Sequence, residues 1–241
     1  ETMCMDPAQV DITDDVSAMI YVDHNGYVGP GRAEVWSICE RWGVPMIEDA
    51  CQAFGVESAG TLGDVGTFSF SVPKLVTTGQ GGALITSRST LEQPARQWAD
   101  HGGDWREDKI HRRLGANFKF NDVAAALGLA QMRRLAELIA TRRQIQCWYR
   151  ERLGTIVPHD TWCTVYRSHD AGGLVAHLKG AGIQADRCYL PLHWHPPYQD
   201  GRSYPGAERV YADAVYLPSH QRMTEDMVDQ VCRAVLQFSK G

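Results

Sequence analysis

Lys74 lies in FSFSVPKLVTTGQGG, residues 68–82, between a run of strand-forming residues and a glycine-rich turn. Phe68 and Phe70 alternate with Ser69 and Ser71, so an extended chain here has one apolar face and one hydroxyl face. A lysine at the end of such a strand has two readings. It is a solvated surface cation, the commoner case, or it is partly desolvated, gives up its proton more readily and becomes a nucleophile toward a carbonyl carbon. The turn from Gly79 to Gly82 lets backbone approach a ligand closely or adopt positive φ. It lacks the G-x-x-x-x-G-K-[ST] order of a nucleotide-binding loop.

A second group stands in MIEDACQAFG, residues 46–55. Asp49 falls at the carboxyl end of an expected strand, where ligands gather in open α/β sheets. It either caps a following helix or serves as a carboxylate partner for a protonated ring nitrogen, with Gln52 placed to donate to a ring oxygen. A nucleophilic lysine and a carboxylate of this kind are the pair that pyridoxal phosphate chemistry demands.

The elements around these groups alternate, which argues for an α/β architecture. Strands are expected at 18–22, 44–48, 66–71 and 82–86, with helices at 32–42 and 91–101. The strand, helix and strand from 18 to 48 suggest a parallel crossover. From Asn121 to Leu153 apolar residues recur at helical spacing, predicting one long helix that bends or bridges two domains. Arg133, Arg134, Arg142 and Arg143 read as its solvated basic face. Beyond Pro158 a second α/β unit is expected, with strands at 163–166 and 187–192 and helices at 171–179 and 225–238.

The 241 residues, 44% hydrophobic, suffice for one large domain or two modest ones. A net charge of -5 recommends neither nucleic acid nor an anionic membrane as partner. No apolar run approaches the roughly 20 residues of a membrane span, and no signal segment opens the chain, so the cytoplasm is the expected location. Seven scattered cysteines, an odd number without a C-x-x-C pair, read as reduced and mostly core thiols. His193 and His195 in HWHPPY could be read as a metal pair, but two imidazoles without a third ligand support that weakly, and no metal is expected.

Together these stretches resemble the DegT/DnrJ/EryC1/StrS family of sugar aminotransferases, which are fold-type I pyridoxal phosphate enzymes. VPMIEDACQAFG resembles the family's E-D-A-x-Q-A-x-G motif, and GDVGTFSFSVPKLVTTGQGGALIT its F-S-F-x-x-x-K signature with the glycine turn. LGANFKFNDVAAALGLAQMRRL, GIQADRCYLPLH and YLPSHQRMTEDMVDQV are similar to its later segments, in the family's order. Lys119, Gln80, Asp23 and Asn25 depart from it, standing where arginine, glutamate, histidine and an aromatic are usual.

The resemblance implies a mixed, mostly parallel sheet flanked by helices, with residues 1–135 part of the cofactor-binding domain and 136–241 a smaller carboxyl-terminal α/β domain. It implies pyridoxal 5'-phosphate as cofactor, held covalently by Lys74, which also moves the proton during transfer. Asp49 is implied as partner of the ring nitrogen, Gln52 of the ring oxygen and Ser69 of the phosphate, with Asn117 reaching the phosphate of a neighbouring subunit in a homodimer. Tyr189 and His193 are implied near the substrate, and His101 with the 104–113 loop is expected to close over the nucleotide. Family members that replace the lysine by histidine are dehydratases, so Lys74 favours transamination. The implied reaction moves an amino group from glutamate, the usual amino acid donor, to a nucleotide-linked keto-sugar. Aminocyclitol or aminobenzoate-type acceptors are the alternative within the family. Because the family's phosphate-binding turn and stacking aromatic precede the segments seen here, a complementary amino-terminal fragment is an expected partner; a non-catalytic binding or regulatory remnant is the other reading.

Overall fold

The computed structural model describes residues 2–103, 108, 110–154, 156–157 and 161–239. Residues 104–107 and 109 of the expected closing loop, and the boundary residue Pro158, lie outside the described residues. The chain folds as two units, one of Met5–Asp23 and Val28–Leu135, the other of Glu1–Cys4, His24–Tyr27 and Ala136–Gly241. Among the described residues no helix is long and apolar enough to cross a membrane.

The first unit is built on a four-stranded sheet in the order β1 (Met19–Val22), β2 (Met46–Asp49), β3 (Val65–Ser69), β4 (Gly82–Ile85). The first three strands are parallel and β4 runs antiparallel to β3. Helix α1 (Arg32–Trp42) makes the crossover from β1 to β2, and its last carbonyls are met by the N–H of Gly43, whose φ of 66° is the left-handed conformation that ends helices. Its apolar stripe, Val35 and Cys39, packs on Tyr21, Met46 and Ile12. Helix α2 (Ser89–Ala99) and helix α3 (Asp122–Met132) follow the sheet, α3 starting where the Asn121 side chain accepts the N–H of Ala124.

The expected long helix is two helices. α3 ends as the Arg134 N–H reaches back only to the Gln131 carbonyl, and α4 (Leu135–Leu153) begins anew. Nothing in the residue types marks this break, because Arg133 and Arg134 are ordinary helix formers. Arg142 is buried and not part of a solvated face: its guanidinium donates to the Ser219 carbonyl, and the Tyr149 hydroxyl donates to that of Pro218 at 2.7 Å.

The second unit carries a three-stranded antiparallel sheet, with β7 (Ala214–Leu217) between β5 (Thr164–Arg167) and β6 (Asp186–Arg187). Helices α5 (Ala171–Gly180), α6 (Pro205–Asp213) and α7 (Glu225–Phe238) complete it. Its core joins Ile145 and Tyr149 of α4 to Leu174 and Leu178 of α5, Val215 of β7 and Val228 and Val235 of α7. All seven cysteines are thiols; Cys39, Cys188 and Cys232 are buried, while Cys147 is exposed.

Candidate active site

Parallel pairing sets Val22 and Asp49, the last residues of β1 and β2, beside Thr67 in the middle of β3. Asp49 caps no helix. Its Oδ1 accepts the N–H of Cys51 at 3.0 Å and so closes the turn that follows β2. The Cys51 sulfur lies 3.7 Å from the Thr67 hydroxyl. Its thiol is pushed up to about 11, by burial first and then by the hydrogen bond and charge of Asp49, while the Thr67 hydroxyl and the Lys74 ammonium pull the other way. Asp49 ends β2 and Lys74 stands in the loop after the neighbouring parallel strand β3. Gln52 lies half-buried in the turn after β2.

The lysine loop folds back on its own strand. The Lys74 N–H donates to the Ser71 carbonyl at 3.1 Å, the Thr78 N–H to Phe70 at 2.9 Å, and the Phe70 N–H to Gly81 at 2.9 Å. Leu75 and Val76 are buried, so the residues next to the lysine plug the interior. Gly81 has a φ of 147°, and a Cβ there would lie 2.3 Å from the Phe120 ring, so only glycine fits this turn. The alternation expected in 68–71 is present: Phe54 meets Phe68 and Phe70 edge-on at 5.6 and 5.4 Å. The Ser69 and Ser71 hydroxyls are 3.1 Å apart, with the Ser71 N–H donating to Ser69 Oγ at 3.3 Å.

Asn117 does not join this group. It bridges to Asp100 and lines a cleft of about 1130 Å³ beside β4, with Phe68, Gly81, Leu84, Trp98 and Phe120; Asp49, Gln52 and Lys74 are not in its walls. Tyr189 and His193 belong to the second unit. Tyr189 is 60% exposed and stands edge-on to His24 and Tyr216. The His193 side chain is only 9% exposed, and its Nε2 lies 3.1 Å from Glu208 Oε1.

Two features of the site's surroundings escape a reading of residue types. Glu48, fully buried, accepts the Arg32 guanidinium at 2.5 Å and the N–H groups of Gly60, Leu62 and Gly63 at 2.7, 2.8 and 3.1 Å, fixing the turns beneath Asp49. Its alternation with Asp49 along β2 was the available signal, since neighbours on a strand face opposite ways. Gln131 holds the lysine loop from α3, a contact across 54 positions that no local pattern announces.

The DegT/DnrJ/EryC1/StrS aminotransferase family matches over residues 1–236. GDP-perosamine synthase of Caulobacter vibrioides is 30% identical over 226 residues, covering 84% of this chain and 61% of that protein. The dTDP-4-dehydro-2,3,6-trideoxy-D-glucose 4-aminotransferase of Saccharopolyspora spinosa is 27% identical over 251 residues, covering 91% and 65%. The solved aminotransferase TlmJ of Streptoalloteichus hindustanus superposes with a TM-score of 0.90 at 30% identity, covering 99% of this chain and 71% of that one. The chain thus spans about three fifths of the curated relatives' length.

Proposed function

This chain belongs to the DegT/DnrJ/EryC1/StrS aminotransferase family, and we propose that it forms the lysine-bearing part of a pyridoxal 5'-phosphate-dependent enzyme that passes an amino group from glutamate to a nucleotide-linked keto-sugar. The observation that carries this reading is the placement of Asp49 at the end of β2, beside the parallel strand β3 that ends in Ser69 and leads into the Lys74 loop. The cofactor asks for an amine to take its aldehyde carbon, a carboxylate for its ring nitrogen and donors for its phosphate. Lys74, Asp49 and the Ser69 and Ser71 hydroxyls offer those chemistries on adjacent strand ends and the loop after them.

When bound, the cofactor supplies an electron-poor ring that stabilises negative charge on a neighbouring carbon. The Asp49 carboxylate would pair with the ring nitrogen, and the Gln52 amide would donate to the ring oxygen. The Ser69 hydroxyl would donate a hydrogen bond to the phosphate. Lys74 would hold the cofactor through its aldehyde carbon, and its Nζ would be the group that moves a proton at the substrate carbon. We assign the sugar or its diphosphate to Tyr189 and His193, of which Tyr189 offers the larger open surface.

Asn117 we assign to the phosphate site of a second copy, in a cytoplasmic homodimer. Among the described residues β4 has a neighbour on one side only, and Leu84 and Ile85 are 50% and 40% exposed. An open edge of this kind suits an added strand, and we assign it to a complementary amino-terminal segment.

The test is direct. Pyridoxal 5'-phosphate is added to the chain, with and without such a segment, fixed by borohydride, and the labelled peptide is mapped. A label on Lys74, lost in Lys74→Ala, is expected; a label on another lysine ends the proposal. Glutamate is then offered with GDP-linked and dTDP-linked keto-sugars, a cyclitol ketone and an aminobenzoate precursor. Transfer only to the last two overturns the sugar assignment.

A further inference from the structure

We infer that Gln131 is a positioning residue for Lys74, its side-chain amide clamping the loop that carries the lysine. Its bearing on catalysis rests on the assignment of Lys74 above; the clamp itself does not. The Thr77 N–H donates to Gln131 Oε1 at 3.0 Å, and Gln131 Nε2 donates to the Thr77 carbonyl at 2.5 Å. One primary amide thus satisfies both backbone groups of a single residue, as a neighbouring strand would. Nε2 also donates to the Leu127 carbonyl at 3.1 Å, one turn back in α3, which fixes the side chain's rotamer against its own helix.

Thr77 in turn organises the loop. Its hydroxyl donates to the Phe70 carbonyl at 3.2 Å and accepts the Gly79 N–H at 3.0 Å. Three residues before it stands Lys74, with Leu75 and Val76 buried between them. A lysine amine on a flexible four-carbon stem is placed no better than its backbone, and a displacement of about 1 Å at a reacting group can cost on the order of a hundredfold in rate. Gln131 ties that backbone to a separate helix, so a shift of α3 moves the lysine.

The test compares the 241-residue chain with Gln131→Met, which keeps the length but makes no hydrogen bond, and Gln131→Glu, which keeps the acceptor for the Thr77 N–H and loses the donor. Amide hydrogen exchange at Thr77 and Gly79 is measured without cofactor. Exchange at least about tenfold faster in Gln131→Met is expected, equivalent to ~1.4 kcal/mol of local opening, with Thr77 better protected in Gln131→Glu. The rate at which borohydride fixes added pyridoxal 5'-phosphate on Lys74 is measured beside it, and should fall several-fold in both variants.

Unchanged Thr77 exchange in Gln131→Met overturns the clamp, and faster exchange with unaltered labelling overturns its role in positioning Lys74. If the unaltered chain takes no label on Lys74 while exchange behaves as expected, the functional reading fails and the clamp stands. Should Gln131→Met not fold, Gln131→Glu decides: slower labelling with native melting supports the inference, and labelling at the unaltered rate overturns it.

Discussion

Asp23 and Glu48 are both fully buried, with one guanidinium between them. Glu48 takes it: Arg32 and three backbone N–H groups all donate to Glu48, while among the described residues neither Asp23 oxygen meets a donor in hydrogen-bond geometry. A second negative charge here is poorly compensated, so Asp23 holds its proton well above the usual carboxylate range. Its carboxyl is pushed up to about 8, by burial first and then by the charge of Glu48, against the weaker pull of Arg32. Asp23 directly follows β1, and its N–H donates to the Asp49 carbonyl at 3.0 Å, tying it to the candidate site. In the unfolded chain the same carboxyl titrates near ~3.9. Between those values the folded chain holds a proton that the unfolded chain has lost, so stability falls as pH rises from about 4 to about 8 and levels off above. Glu48 is opposite in sign: burial works against its charge, but the donors outweigh burial and lower its pKa, so its contribution fades only in acid. Asp23→Asn removes the titration. Urea midpoints at pH 5 and pH 8 should drop for the unaltered protein and stay level for the variant; parallel slopes would show that Asp23 is ionised throughout.

At the scale of elements, the close packing of β3 gives a sharper case. Gly66 in β3 faces the Gly60 turn, and a Cβ on it would lie 1.9 Å from the Gly60 carbonyl oxygen, a backbone atom with no rotamer to yield. The same turn delivers the Gly60 N–H to Glu48. Gly66→Ala should therefore destabilise by at least ~3 kcal/mol, at the upper end for a single substitution, and a melting temperature close to that of the unaltered protein would refute the close approach. Most elements that position the site were legible: the crossover β1, α1, β2 from its alternation of strand and helix, the lysine strand from its alternation, and α7 over its full range of 225–238. α6 and β7 were not, because ERVYADAVYL runs from helix to strand at Ala214 without a glycine or proline to punctuate it. The run after Arg187 failed as a strand for the opposite reason, since Pro191 and Pro196 turn it into two short 3-10 segments. Asp49 and Lys74 were legible as types with a known chemistry. Gln131 was not, because its partner is set by tertiary packing alone.

For the molecule as a whole, the informative surface is α3. DVAAALGLAQM is apolar nearly all round, and such a helix is ordinarily buried. Here only Ala124 is buried, while Val123, Leu127 and Leu129 are 74%, 53% and 61% exposed, and Leu114 and Phe118 nearby in sequence are 91% and 66% exposed. Apolar surface of this extent suits an interface. A second copy is the occupant that the Asn117 assignment requires, because Asn117 lies four residues before the Asn121 cap of α3 and outside its own chain's Asp49 and Lys74 group. The same helix carries Gln131, so covering α3 steadies the element that clamps the lysine loop. Association would then be felt at Lys74. Val123→Glu with Leu127→Glu puts two carboxylates one helical turn apart on the open face, where a partner helix would have to desolvate them. Sedimentation should show the unaltered chain as a dimer and the double variant as a monomer with unchanged circular dichroism. Fixation of pyridoxal 5'-phosphate on Lys74 should weaken in the monomer. A variant that still sediments as a dimer would place the interface elsewhere, and a monomer that takes the label as well as the unaltered chain would separate assembly from the lysine.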